Sequence, residues 1–142
     1  VELTQWNVRE FNLEDASGET AFILYRPITQ GWRTRHLEIS LTLQKAGDRV
    51  LKQKEEANDD SPDREALSAL VESQREALEV MGRFRDSLLD DLVVGSRDLT
   101  INGQEPTREQ LIETVKGIEE LAEKLTLHII TEGTVSSDEG KD

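Results

Sequence analysis

The 142-residue chain sets 17 Lys and Arg against 30 Asp and Glu, a formal charge of −13, with 35% hydrophobic residues, 4% aromatic residues and no cysteine. That length fits one domain whose core is built from Leu, Val, Ile and Ala; the lack of cysteine excludes disulfides, thiolate metal sites and cysteine nucleophiles. With only His36 and His128, a zinc site would need carboxylate ligands, no run is apolar enough to cross a bilayer, and the acidic balance repels phosphate backbones.

A soluble, cytoplasmic chain is therefore expected, with no signal-like opening, no membrane partner and no direct nucleic-acid partner. In chain order, Trp6, Val8, Phe11 and Leu13 precede turn chemistry at Asp15, Ala16, Ser17 and Gly18. Thr20 to Arg26 is rich in β-formers and stops at Pro27, so a small N-terminal β section is expected over about residues 3–26. Its edges are open to strand addition by a partner. Between Arg33 and Leu43, apolar and polar residues alternate as in a half-buried strand. Helical spacing also fits: Ile39, Leu43, Ala46 and Val50 share one face and Leu37 and Leu41 form a second stripe, so a helix is expected over about residues 30–57. Glu55, Glu56, Asp59 and Asp60 read as an exposed acidic linker.

Ser61 as N-cap, Pro62 at the first helical position and acids at Asp63 and Glu65 open a long helix. Leu67, Leu70, Val71, Leu78, Met81, Phe84, Leu88, Leu89 and Leu92 keep one side of it apolar, and Gly95 is the expected stop. Asp98 to Glu105 reads as a short extended piece with an Asn102-Gly103 turn. Thr107 and Gln110 form a capping box for a second amphipathic helix through Leu111, Val115, Leu125 and Ile129, with Gly133 as its stop. The expectation is an α+β, predominantly helical fold: a small N-terminal β-hairpin or sheet, then about three helices, two of them long and amphipathic. One helix-rich domain spans residues 1–132, and residues 133–142 form a disordered acidic tail.

No motif for an enzyme stands out. Asp86 and Asp90 share a helix face and Asp91 diverges, which is surface solvation in so acidic a chain. His36 has Glu38 and Asp48 nearby in sequence, yet a lone histidine there reads as structural, and His128 complements a helix C-terminus. Nucleophile-elbow, Walker, Rossmann, EF-hand and zinc-protease signatures are missing, so no catalytic residue, cofactor or metal is assigned. Trp6, Tyr25 and Trp32, with Arg33 and Arg35 flanking Trp32, are the candidate partner-binding residues; capping the small sheet is the other use for these rings. Exposure separates the two uses.

The β section ending in Phe22, Ile23, Leu24, Tyr25, Arg26 and Pro27 is followed by helices, with Leu92, Val93, Val94 and Gly95 leading through Asn102, Gly103, Pro106 and Thr107 to Leu111. In this order of elements, over most of residues 3–131, the chain resembles tail assembly chaperones of long-tailed bacteriophages. The resemblance implies a non-enzymatic protein of the host cytoplasm that keeps the tape measure protein soluble and helps the tail tube protein polymerise around it. It also implies a longer frameshifted form in many members. Spare apolar surface would let such a chain form a homo-oligomer.

Two other readings stand beside it. An acidic surface can imitate DNA, making the chain an inhibitor of a nucleic-acid-binding protein, of the anti-CRISPR or anti-restriction kind. Against this, bases are woven among the acids at Glu79 and Arg83, Lys116 and Glu120, and Glu120 and Lys124. A minor structural virion component, such as a head or tail completion protein, would show the same small core and mixed surface.

Overall fold

A computed structural model describes residues 7–58 and 63–139. Strands β1 (Arg9–Glu14) and β2 (Thr20–Tyr25) form an antiparallel hairpin, in register from the pair Arg9 and Tyr25 to the pair Glu14 and Thr20. Asp15 builds the turn. Its Oδ1 accepts hydrogen bonds from the Ser17 N–H (2.9 Å), the Ser17 hydroxyl (2.6 Å) and the Glu19 N–H (3.0 Å), and Gly18 takes a left-handed φ of 85°. The Ser17 hydroxyl, followed by these backbone donors, favours the ionised carboxylate and holds Asp15 below its ordinary value of 3.8. A folded value below the unfolded one means that the turn gains stability above the unfolded value and loses it as pH falls through the folded one. An NMR titration of the Asp15 carboxyl carbon should therefore give a lower midpoint in the native protein than in urea; equal midpoints would contradict this turn.

Strand β3 (Val93–Arg97) pairs antiparallel with β2 on the side away from β1, so the sheet order is β1-β2-β3. This corrects the expected helix stop at Gly95. The preceding helix ends at Leu92, and the β-branched pair Val93 and Val94 passes straight into the sheet, with a bulge opposite Leu24 and Tyr25 and with Gly95 opposite Leu24. Beyond it, Asn102 and Gly103 both have positive φ, 54° and 79°, and the Ile101 and Gln104 backbones bond to each other in both directions. That is the two-residue turn expected of Asn-Gly.

The helices are α1 (Gln30–Arg35), α2 (Leu37–Ala57), α3 (Arg64–Leu92), α4 (Arg108–Gly117) and α5 (Glu119–Glu139). The segment that reads as strand or helix is helical, interrupted at His36. Trp6, Asp59, Asp60, Ser61, Pro62 and residues 140–142 lie outside the described residues. Helix α3 begins at Arg64, and Asp63 Oδ1 accepts the Ala66 N–H at 2.7 Å, the capping bond assigned to Ser61 from sequence. The single helix expected over residues 107–132 is divided at Ile118, and α5 runs past Gly133, where a stop was expected.

The capping box of α4 forms in full: Thr107 Oγ1 accepts the Gln110 N–H (3.2 Å) and Gln110 Oε1 accepts the Thr107 N–H (3.0 Å). Thr107→Ala should cost about 1 kcal/mol in denaturant melts, the usual worth of an N-cap side chain.

The chain forms two compact units, residues 1–30 with 85–142 and residues 31–84. The first holds a layered core. Ile23, Tyr25 and Val93 of the sheet, Leu88, Leu89 and Leu92 of α3, and Leu111, Val115, Leu125 and Ile129 of α4 and α5 are all buried. The second is an antiparallel helical hairpin, since Trp32 meets Phe84 and Arg49 pairs with Glu76 at 2.6 Å. Among its described residues, few are buried: Trp32, Ala46, Ser73 and Val80. Ser73 stays satisfied by donating to the Ala69 carbonyl at 2.9 Å.

Candidate functional site

Two of the five residues singled out from sequence as a partner patch, Tyr25 and Trp32, are buried by the fold. Tyr25 is 0% exposed and its ring meets the His128 ring edge-on at 5.7 Å. Trp32 is 3% exposed, stacked on His36 at 4.2 Å and edge-on to Phe84 at 5.8 Å. In a chain so poor in aromatic residues, these rings are used as core, which corrects their reading as interface anchors. Arg33 and Arg35 are exposed in the last turn of α1, where positive charge suits the helix dipole. Trp6 lies outside the described residues.

Both histidines and several of the charged groups are engaged in structure. His36 Nδ1 donates to the Trp32 carbonyl at 2.9 Å. His128 sits within α5 rather than at its end, between Phe11 and Tyr25 and 3.6 Å from Glu132, which corrects its reading as a C-terminal dipole partner. Asp90 pairs with Lys116 at 2.7 Å, so Lys116 does not serve Glu120 as the spacing suggested. Glu120 pairs instead with Lys124 at 2.9 Å, and that ammonium, by hydrogen bond and by charge, lowers the Glu120 pKa. A groove of about 630 Å³ beside α4 is lined by Asp90, Arg108 and Lys116. Its cations are already committed, Lys116 to Asp90 and Arg108 to the Val93 and Asp90 carbonyls. Among the described residues, no three His, Asp or Glu side chains converge as metal ligands.

The feature left over is apolar. Nine large hydrophobic side chains are exposed among the described residues, and seven of them belong to residues 31–84: Leu37, Leu41, Leu51, Leu67, Val71, Leu78 and Met81. They are not scattered. On α3, Leu67, Val71, Gln74, Leu78 and Met81 follow steps of four, three, four and three, and on α2 Leu37, Leu41, Gln44, Asp48 and Leu51 do the same. This is the spacing of a coiled-coil seam.

Each helix of the hairpin thus carries two stripes. One holds Ile39, Leu43, Ala46 and Val50 on α2 with Leu70, Ser73, Ala77, Val80 and Phe84 on α3, and it is buried or half-buried. The other lies on α2 two positions away, about 160° round the helix at 100° per residue, and stays in water. A pair of helices can bury one stripe each against the other and has nothing left to cover the second. Charge divides the same way: residues 31–84 carry nine Lys and Arg against eleven Asp and Glu, and the rest of the chain carries eight against 19. The two exposed apolar rows therefore sit in the nearly balanced unit. Compared with protein-family models, curated proteins and solved structures, the chain matches none.

Proposed function

We propose that this chain is a binding protein for other polypeptides, an assembly chaperone of the phage tail kind, that holds apolar helical segments against the exposed stripes of α2 and α3. The observation that carries this is the row of exposed Leu67, Val71, Leu78 and Met81, at seam spacing, on a nearly charge-balanced hairpin. A partner helix with the same spacing can interdigitate with such a row, and burial of the side chains supplies the affinity. The tape measure protein, which the phage resemblance makes the client, is a long helical polypeptide with apolar stripes of this kind. Holding it needs no covalent step, only surface that is greasy, reversible and unlikely to collapse on itself; the strongly acidic remainder keeps the loaded protein apart from its neighbours by repulsion.

Co-expression with the tape measure protein of the same genome tests the reading. The expected result is that the tape measure moves from the pellet to the soluble fraction and co-purifies with the chain. An insoluble tape measure at matched expression would overturn it. The charge division also supports a second reading, an acidic mimic of nucleic acid acting through residues 1–30 and 85–142. That reading requires salt-sensitive capture of a DNA-binding protein, which the chaperone reading does not.

A further inference from the structure

The unit formed by residues 1–30 and 85–142 has its own unused feature, an open strand edge. Strand β1 is outermost in the sheet. At the hairpin end the Asp15 N–H bonds to the Glu19 carbonyl at 3.0 Å, and the β1–β2 register runs from there without a shift. Antiparallel alternation then turns the main-chain groups of Leu13, Phe11 and Arg9 toward β2, and those of Glu14, Asn12 and Glu10 outward. Among the described residues these outward groups have no partner.

A groove of about 360 Å³ follows the same edge, lined by residues 11–14 of β1 and by Ile118, Glu120, Leu121 and Lys124 at the α4–α5 junction and the start of α5. Consecutive strand residues point to opposite faces, so a groove that touches all four runs along the edge itself. Its apolar lining is Phe11, Leu13 and Leu121, which are half-buried, and Ile118, which is 50% exposed; the ion-paired Glu120 and Lys124 complete the helix side.

We propose that this edge takes up an extended, basic peptide as a fourth strand, with apolar residues at alternate positions resting on Phe11, Leu13, Ile118 and Leu121 and with Lys or Arg between them. Main-chain bonds to Glu10, Asn12 and Glu14 supply affinity, and the groove reads alternate side chains. Charge selects the basic peptide. This unit has eight bases against 19 acids; beside the groove, Lys124 is already paired with Glu120, and Glu14 lies on the strand's outer face. The same charges act against a second copy of the chain. Two β1 edges paired about Asn12 would set Glu10 of each copy opposite Glu14 of the other, which is unfavourable for directly opposed strand residues and is only partly offset by the Glu10 bond to Arg97.

The test is a titration of the isotope-labelled full chain with a capped heptapeptide alternating Val and Lys, read by amide hydrogen exchange. The Glu10, Asn12 and Glu14 amides should exchange at least about tenfold more slowly at saturation, and a Val and Glu peptide of equal length should leave them unchanged. Asn12→Pro removes an outward N–H at an edge position where proline leaves the β1–β2 ladder intact, and should abolish the protection while circular dichroism shows a folded chain. Ile118→Lys alters the groove without touching the strand and should weaken binding by about fivefold or more. Unchanged exchange at the three amides, equal binding of the acidic peptide, or protection that appears on concentrating the chain alone would each overturn the proposal.

Discussion

The double variant Val71→Gln with Leu78→Gln is expected to melt like the parent and to bind a helical client about 30-fold more weakly, taking about 1 kcal/mol for each half-exposed anchor lost. Both side chains are exposed, Leu78 to 67%, so their removal opens no cavity in the hairpin. Glutamine is as good a helix former as leucine and better than valine, which leaves α3 unharmed. It also adds no charge, so an acidic mimic acting through the other unit would keep its activity. Titration of a synthetic heptad peptide with Leu at its seam, followed by calorimetry, measures the effect; equal affinity for parent and variant would remove α3 from the binding surface.

Leu125→Ala is expected to cost about 2–5 kcal/mol, a large share of the stability of any domain of this size. Leu125 is 0% exposed on α5, in the core that also holds Tyr25, Leu88 and Leu111, and truncation leaves a void that this layered packing cannot close. Two controls separate burial from composition. Leu127, two positions on, is 65% exposed, and its change to alanine should stay within about 0.5 kcal/mol. Tyr25→Phe keeps the ring and removes a buried hydroxyl that has no partner among the described residues, so stability should be unchanged or higher by about 1 kcal/mol. Urea melts of the three variants check these values. A loss for Tyr25→Phe comparable with that for Leu125→Ala would mean that the hydroxyl is bonded in the native state.

Much of the fold could be read from local chemistry. The Asp15 turn, the β2 strand closed by Pro27, the Asn102-Gly103 turn and the Thr107 capping box are each set by residues within a few positions of one another. Residues 37–50 showed two apolar stripes, and the helix that forms there has both, with the Ile39 stripe turned inward and the Leu37 stripe left outside. Strand β3 was hidden for the opposite reason. Its partner in the ladder is Leu24, some 70 residues away in sequence, and the helical period running to Leu92 masks the two valines that follow.

The exposed apolar rows were hard to read because periodicity reveals a stripe but not its cover. Leu70 and Val71 are neighbours in sequence and equal in hydropathy pattern, yet one is half-buried in the hairpin and the other is open to water. Aromatic residues are the usual interface anchors, but Tyr25 and Trp32 are in the cores, because a chain with so few rings uses their area where burial is complete. The surface that remains is aliphatic, and only the pairing of α2 with α3 shows which leucines it contains.

Hydrogen exchange on the full chain, alone and bound to a soluble fragment of the tape measure protein, tests the central claim most directly. Slowed exchange along residues 37–51 and 67–81, with the remaining amides unchanged, is the outcome this account predicts; a footprint confined to residues 7–30 and 85–132, or no footprint at saturating fragment, would contradict it.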